Sequence, residues 1–498
     1  MIGRLLLTLI LLLTAGCVDS TAPPDRVRMG VASPASNLDP RFATDATSSR
    51  VARLLYRRLV DFDAQGRPVP ALAQWRKLSP THYRLRLDSE GRTFADGSRL
   101  TAEDVKATYT SVLDPATASP HRTTLTLIQR IEVLDQDTLD FFIDRPDPLF
   151  PAYLVLGILP AHAIVQKQAV NEHPIGSGPF ELAEWRDDGT LLLRARDDGR
   201  MVELVTVKDP TVRTLKLLRG EIDLLQNDLP PELYRYLDTR EGLVLRRRRG
   251  SNFTYLGFNM QDPATSDPRV RRAVAHAIDR SRIIRYVLNG GARMAETLLP
   301  PEHWAGNPEL EPIRYDPDEA RRLLREAGYS ARRPLRLVYK TSTDPFRVRL
   351  ATIIQHQLAE VGIEAEVRSY DWGTFFGDIK AGRFQMYSLS WVGIRTPDVF
   401  RYVFHSTSLP PQGANRGRYA SPEVDRLIEA AESATTLEAQ APLYREIQRR
   451  IHDDLPYVPL WYEDQVVVSR RGIRGYRLAA DGNYDGLLDV RRMKREGR

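Results

Sequence analysis

The chain has 498 residues, more than one hydrophobic core usually supports, so two or three lobes are expected. Hydrophobic residues make up 42% and charged residues 27%, and the net charge of +6 arises from interspersed bases and acids, which favours a solvated surface over a nucleic-acid groove. The four arginines at 246–249 have no interleaved aromatic residues, as a groove for single-stranded nucleic acid would need. A single cysteine excludes an internal disulfide and a multi-cysteine zinc site.

The N-terminus has the pattern of a secretory signal peptide. Arg4 precedes an apolar run at 5–13, which is too short to span a bilayer, and small residues follow up to Cys17. Residues 13–17 resemble the bacterial lipobox, in which the cysteine is lipidated; the alternative is a plain signal peptide with an incidental cysteine. We therefore expect a signal peptide at 1–16, a tether at 17–25 and membrane attachment by lipid alone.

Capping signals mark several helices after a first strand predicted at 27–31. The helix that follows Asp267 and Pro268 is predicted to continue to about Gly290. An N-cap residue stands before a helical apolar pattern at four positions, namely Thr101, Asp267, Asp316 and Ser421.

The second half contains a strand–helix–strand unit. Residues 335–339 alternate as a strand, 346–361 have helical periodicity, and 363–367 alternate again, which predicts parallel pairing with a right-handed crossover. Hairpin-like runs at 83–87 and 191–195 occur in the first half. The fold class is therefore α/β, with mixed sheets in several lobes.

Several short motifs occur in a fixed order from about Arg26 to about Arg474. The longest is Phe94-Ala95-Asp96-Gly97 followed by Leu100-Thr101-Ala102-Glu103-Asp104-Val105. The others are Asn37-Leu38-Asp39-Pro40, Gly176-Ser177-Gly178-Pro179-Phe180, Gly220-Glu221-Ile222-Asp223, Asp267-Pro268-Arg269-Val270-Arg271-Arg272-Ala273 and Ala277-Ile278-Asp279-Arg280. Together they resemble family 5 of the bacterial extracellular solute-binding proteins, and the first motif carries most of the resemblance.

This resemblance implies a two-lobed periplasmic-binding-protein clamshell of class II, with an extra subdomain in lobe I. Lobe I is expected at 26–262, including the subdomain at about 45–175. Lobe II is expected at 263–474, and 475–498 returns to lobe I and ends in a basic tail. The implied function is capture of peptides by hinge closure and delivery to an ABC permease and ATPase complex, by a periplasmic monomer without cofactor or metal.

The resemblance also implies a set of ligand contacts. The segment Ser390-Trp391-Val392-Gly393 is expected to line the cleft, where backbone groups pair with an extended peptide. Asn415 and Arg416 lie in a glycine-rich loop, where a guanidinium can clamp a carboxylate; a solvated loop arginine is the alternative.

One position departs from the family pattern. Peptide-binding relatives carry an aspartate three residues after the tryptophan, which anchors the α-ammonium group; Ile394 stands there, and Asp398 is the candidate substitute. Ser388 stands where oligopeptide-binding relatives carry an arginine. The alternatives to a peptide are therefore a nickel chelate, haem, a glycan or an opine on the same fold.

Enzyme signatures do not occur in the sequence. It contains no G-x-S-x-G, no Walker A lysine loop and no H-E-x-x-H. A secreted hydrolase, the rival from another class, requires a nucleophile–base pair in the cleft. A binding protein is therefore the expected class.

Overall fold

Two long strands, Leu243–Phe258 and Tyr457–Arg470, organise the computed structural model, which describes residues 26–493. They pair antiparallel along most of their length. In chain order the strands are β1 (Arg26–Val31), β2 (Val60–Phe62), β3 (Pro68–Pro70), β4 (Ala73–Ser79), β5 (His82–Leu87), β6 (Ile128–Val133), β7 (Thr138–Ile143), β8 (Phe180–Trp185), β9 (Leu191–Ala195), β10 (Met201–Thr206), β11 (Leu224–Gln226), β12 (Leu243–Phe258), β13 (Ala292–Met294), β14 (Leu335–Ser342), β15 (Ile363–Tyr370), β16 (Met386–Trp391), β17 (Tyr457–Arg470), β18 (Ile473–Arg474) and β19 (Arg491–Arg492).

Many helices begin at a side chain that accepts a hydrogen bond from the first turn. Asp267, Asp316 and Ser421 all do so, because the exposed N–H groups of a helix start need acceptors. The helices are α1 (Ala46–Leu55), α2 (Ala102–Leu113), α3 (Arg122–Leu125), α4 (Ala161–Val165), α5 (Pro210–Arg219), α6 (Pro231–Asp238), α7 (Pro268–Ala277), α8 (Arg280–Tyr286), α9 (Pro317–Glu326), α10 (Pro345–Glu360), α11 (Trp372–Ala381), α12 (Val399–Phe404), α13 (Pro422–Ser433) and α14 (Leu437–Asp454).

One 11-stranded sheet runs through the molecule in the order β15-β14-β16-β12-β17-β11-β1-β10-β9-β8, with β13 paired to β17. The ladder between β12 and β17 is interrupted between Arg248 and Asn252. Gly250 lies in this gap, where a Cβ atom would come within 2.3 Å of the Glu463 carbonyl oxygen. The interruption divides the sheet into two halves.

Each half of the sheet has its own apolar core, and β17 contributes to both. Leu460 and Trp461 pack with the helices α7–α10, whereas Val467 packs with β1, β9, β10 and α1. A third core joins α2 to a separate four-stranded sheet of order β4-β5-β7-β6. The bending point of the large sheet therefore lies between two independently packed bodies.

Buried arginines tie the helices of the second half to the chain segments around them. Arg280, 3% exposed, donates to the carbonyl oxygens of Ala295, Pro459 and Ile313. Arg271, 4% exposed, donates in the same way to three other carbonyls. Such clamps satisfy backbone acceptors that would otherwise be buried without partners.

The α/β class is confirmed, and so are the first strand, the four capped helix starts and the antiparallel strands at 83–87 and 191–195. Strands β14 and β15 are parallel with α10 between them, as predicted. The prediction of one helix from 268 to about 290 is wrong, because α7 ends at Ala277 and Ile278 is extended. The Asp279 side chain then accepts a hydrogen bond from the Arg282 N–H and caps the start of α8. One local side-chain acceptor thus ends the first helix and starts the next.

The predicted signal peptide, the tether and Cys17 lie outside the described residues, as does the end of the basic tail at 494–498. Within residues 26–493, no helix has both the length and the apolar character needed to cross a membrane.

Candidate functional site

The carboxyl ends of two sets of parallel strands face each other across the interruption in the sheet. In one half β1, β10 and β11 are parallel, and in the other β14, β15 and β16 are parallel. Strand β11 is antiparallel to β17, and β16 is antiparallel to β12. Since β12 and β17 are antiparallel to each other, β11 and β16 run towards one another. Ligand sites in α/β sheets form outside such strand ends. We call this space the crevice.

The last part of β16 has one unoccupied edge. β14 pairs only with Met386 and Tyr387, whereas β12 pairs with all of β16 as far as Trp391. On the side away from β12, residues 388–391 therefore have no partner strand in the described part of the chain. We call residues 388–391 the free edge. Its backbone groups can pair with an added extended chain.

Ser390 is connected to the interruption in the sheet by hydrogen bonds. Its hydroxyl lies 2.7 Å from that of Thr254, which donates to the Glu463 carboxylate at 3.0 Å. Glu463 in turn lies 3.7 Å from the Arg347 guanidinium at the start of α10. A polar path thus runs from the free edge to the point where the two halves join.

Trp391, the last residue of the free edge, is half-buried between an arginine and a tyrosine. The Arg416 guanidinium carbon lies 4.8 Å from its ring centre, and the Tyr402 ring approaches edge-on at 6.4 Å. Its indole Nε1 is buried and has no hydrogen-bond partner in the described structure. Val392 and Gly393 follow in an exposed turn, where Gly393 has φ +75°.

Arg416 is a cation held on aromatic rings. It donates to the Tyr255 hydroxyl at 3.2 Å and lies 5.1 Å from the Phe376 ring centre, besides its contact with Trp391. In the described chain it makes no contact to a carboxylate within ion-pair distance. The structure therefore brings Arg416 and Trp391 together and leaves the guanidinium without an acidic partner.

Asn415, in contrast, uses its side chain to hold its own loop. Its amide nitrogen donates to the carbonyls of His405 and Tyr419, and its amide oxygen accepts from the Tyr419 N–H. The residue is 1% exposed, so all of its polar groups are occupied inside the protein. This arrangement fixes the backbone that carries Arg416.

Asp398 lies in a group of acids and tyrosines. The pKa of its carboxyl is raised, mainly by burial and also by the charge of Glu432, although a hydrogen bond from Thr396 opposes the shift. Asp147, on the segment after β7, has its pKa raised to about 6 by burial and by the charges of Asp398 and Glu432. Asp398 thus faces acidic neighbours and belongs to a contact between two parts of the chain.

Arg395 is a crevice residue to which the sequence motifs assign no role. Its guanidinium lies 3.1 Å from the Asp481 carboxylate and 5.6 Å from the Phe62 ring centre. Its carbonyl oxygen lies 2.9 Å from His303 Nε2. Because Ala305 N–H donates to Nδ1 and burial lowers the pKa of His303, the neutral ring carries its proton on Nε2 and donates it to Arg395.

The positions of Arg395 and Asp481 explain why sequence reasoning missed them. They are 86 residues apart by their numbers and lie in irregular segments. The available signal was that Arg395 lies two residues beyond the segment Ser390-Trp391-Val392-Gly393, which is expected to line the cleft. As for metal ligands, residues 26–493 contain no cluster of three or more His, Cys, Asp or Glu side chains that could hold an ion.

Comparison with known proteins gives consistent matches. Residues 67–410 match the model of bacterial extracellular solute-binding proteins, family 5 Middle. Probable di/tripeptide-binding protein 5 of Pseudomonas aeruginosa is 27% identical over 478 residues, which are 88% of this chain and 90% of that protein. Heme-binding protein A of Haemophilus influenzae is 25% identical over 476 residues, covering 88% of this chain and 86% of that one.

A solved structure shows the same fold. The periplasmic binding protein DppA of Helicobacter pylori, associated with an ABC transporter and solved with the peptide STSA, has a TM-score of 0.76 and 26% identity, covering 94% of this chain and 98% of that one. The family model spans well over half of the chain, including the free edge at 388–391. The chain therefore belongs to family 5 of the bacterial extracellular solute-binding proteins.

Proposed function

We propose that this chain is the solute-binding component of an ABC importer and that its solute is a peptide. The observation that carries this proposal is the free edge at 388–391, which presents unpaired backbone groups at the crevice. Relatives named for di/tripeptides and a related structure with a bound peptide support the choice of solute. The role involves binding and release without covalent chemistry.

Backbone pairing suits a carrier of varied peptides. An extended peptide would add as a strand beside Ser390, exchanging N–H and C=O bonds that do not depend on its side chains. Trp391, Val392 and Gly393 would form the wall at the end of that strand. Affinity would come from the main chain, and selectivity from the charged groups at either end of the peptide.

Arg416 would receive an acidic group of the ligand. Its guanidinium is stacked on Trp391 and lacks an acidic partner in the described chain, so a ligand carboxylate would gain a charge-assisted, bidentate contact. Asn415 would act by fixing the Arg416 loop. Asp398 would affect binding indirectly, because its contact with Asp147 helps to set the position of the loop after β16.

Closure would bend the two long strands at the interruption. We place the boundaries between the lobes near 249–251 in β12 and near 464 in β17, inside the strands, in place of 262 and 474. The extra subdomain, at about 45–175, would contain the separate sheet β4-β5-β7-β6. A ligand that contacts both lobes only when they are closed shifts the population towards the closed form, which then docks on the permease and ATPase complex.

A thermal-shift screen against a di- to pentapeptide library, followed by small-angle scattering, tests the proposal. Peptide binding should raise the unfolding temperature and reduce the radius of gyration. Mass spectrometry of ligand that co-purifies with the protein tests the same point without a choice of library. Haem, a nickel chelate, a glycan or an opine in that spectrum, with no response to any peptide, would contradict the peptide assignment.

We also propose that the protein is periplasmic and monomeric and that lipid on Cys17 holds it at the membrane. The charged, apolar and small-residue pattern before Cys17 supports this. Cys17→Ala should move the protein from the membrane fraction to the soluble fraction. Continued membrane retention of that variant would exclude the lipid anchor.

A further inference from the structure

A carboxylate without a partner lies on the β11 side of the crevice. Asp228 stands two residues beyond the end of β11 and is exposed. In the described chain its side chain makes no hydrogen bond, and its charged neighbours are Arg50, Arg213 and Glu463 at longer range.

The chain around Asp228 is held in an unusual conformation. Asn227 and Asp228 have φ values of +57° and +59°, a region that residues other than glycine occupy at an energetic cost. The Asn227 side chain accepts from the Val466 N–H at 2.8 Å and donates to the Gln465 side chain at 2.5 Å. Arg213 donates to the Asp228 carbonyl oxygen. Contacts to β17 and α5 thus determine where the Asp228 carboxylate lies.

Neither nearby arginine forms an ion pair with this carboxylate. Arg213 is 1% exposed and donates to backbone carbonyls, and the Arg50 guanidinium carbon lies 5.2 Å from the Tyr484 ring centre. Although the residue is exposed at the surface, protein atoms crowd its carboxyl and raise the pKa; the charge of Glu463 also raises it, and those of Arg50 and Arg213 oppose the shift. Such a carboxylate is stabilised by a cation brought in from outside.

Asp228 and the free edge lie near the same acid, Glu463, whose charge repels that of Asp228. Glu463 accepts from the Thr254 hydroxyl, which contacts Ser390. On the opposite side of the crevice, the loop after Trp391 has no free carboxylate, because Ile394 packs against the apolar core and Asp398 faces Glu432. Glu463 has partners in Thr254 and Arg347, so Asp228 is an acid without a partner that a ligand bound along the free edge would meet on the side of β11.

We propose that the Asp228 carboxylate binds an ammonium group of the ligand and that this contact helps to determine which ligands are bound. This rests on the function proposed above. The ammonium can come from the N-terminus of a peptide or from a lysine side chain, since both present the same N–H donors to a carboxylate. Arg416, on the β16 side, would take the acidic group, so that the two residues sort ligands by the sign of their charges.

Calorimetric titration with three probes tests this assignment. The probes are trialanine, N-acetyl-trialanine and N-acetyl-Ala-Lys-Ala, measured against wild type and Asp228→Asn. Asparagine tolerates the left-handed backbone, so the variant should keep the fold. If the N-terminal ammonium is bound, the variant should lose roughly 10- to 100-fold in affinity for trialanine and none for N-acetyl-trialanine. If a lysine ammonium is bound, the same loss should appear with N-acetyl-Ala-Lys-Ala.

Asp481→Asn is the matched control, because Asp481 is a crevice carboxylate that already has a partner in Arg395. It should reduce affinity for all three probes by the same factor. An Asp228→Asn variant that binds every probe as wild type does, or loses the same factor for all three, overturns the assignment. Wild-type protein that binds none of the probes contradicts the proposed function itself, and the inference falls with it.

Discussion

The Arg395 guanidinium lies 3.1 Å from the Asp481 carboxylate, so one ion pair joins the loop after β16 to the segment before β19 across the crevice. Asp481 also accepts from the side chain and backbone N–H of Asn483, which holds the carboxylate in place. The pair spans the two halves of the sheet. It therefore contributes only when the crevice is narrow.

A double-mutant cycle measures this contribution to closure. Arg395→Ala and Asp481→Ala should each weaken peptide binding by about 2- to 5-fold, the effect of a partly exposed pair worth roughly 0.5–1 kcal/mol, and the double variant should lose no more than either. High salt should reduce the wild-type affinity towards that of the variants. The measurement is calorimetric titration at two ionic strengths.

Arg349 and Glu232 provide a control for that cycle. They also lie on opposite sides of the crevice, 3.1 Å apart, but both are about half exposed. Their removal should change affinity by less than twofold. Additive losses from Arg395→Ala and Asp481→Ala would show that the two residues act independently.

Asp147 should make stability depend on pH. Its pKa is raised to about 6 by burial and then by Asp398 and Glu432, while Leu149 N–H and the Tyr153 hydroxyl donate to it and lower the pKa. A raised carboxyl pKa means that the folded state favours the protonated form, so the contribution of Asp147 to stability is greatest below about pH 4, falls as pH rises towards 6 and stays lower above it. The loss is at most about 3 kcal/mol.

Asp147→Asn cannot ionise and should be more stable than wild type at pH 7.5, but not at pH 4. Chemical unfolding at the two pH values checks this. Tyr444, Arg401 and Glu432 also face this contact, and Asp398 has a raised pKa, so a smaller pH dependence should persist in the variant. A variant less stable than wild type at pH 7.5 would show that the Asp147 hydrogen bonds outweigh the repulsion.

Arg416 should matter only for ligands with a free carboxylate. Arg416→Ala should reduce affinity for trialanine by roughly 10- to 100-fold, because a charge-assisted contact is lost, and leave affinity for its C-terminal amide nearly unchanged. Arg418→Ala, two residues along the same loop, is the control and should bind both forms as wild type does. An equal loss for acid and amide would assign Arg416 a packing role on Trp391.

The Arg280 clamp should be worth several kcal/mol of stability. Arg280→Ala leaves three buried carbonyls and Glu296 without this donor, which should lower the free energy of unfolding by about 3–5 kcal/mol. Arg282→Ala, on the exposed face of the same helix, should change it by less than about 0.5 kcal/mol. Urea denaturation of both variants is the check; similar values for the two would refute the clamp.

Local chemistry explains which features of the fold could be predicted. Helix starts at Asp267, Asp316 and Ser421 were predictable because a cap acts within its own turn. The break at Ile278 was not, since it depends on Asp279 bonding to the backbone N–H of Arg282 in place of a continuous helix.

The candidate site was predictable only in part. The family resemblance implied that Trp391 and Arg416 each contact the ligand, but not that the guanidinium carbon would lie 4.8 Å from the Trp391 ring centre. The unpaired edge at 388–391 depends on how far β14 extends beside β16, and the Arg395–Asp481 pair depends on the path of the C-terminal segment. Both are long-range properties that no local pattern in the sequence encodes.

The free edge at 388–391 also has a consequence for solubility. Exposed strand edges recruit other proteins into extended sheets, and folded domains usually protect them. Here residues 388–391 lie at the crevice between the two halves of the sheet, with β12 paired to their other side. A peptide paired with this edge would cover its backbone groups, so ligand binding would also remove an edge at which two copies of the protein could join.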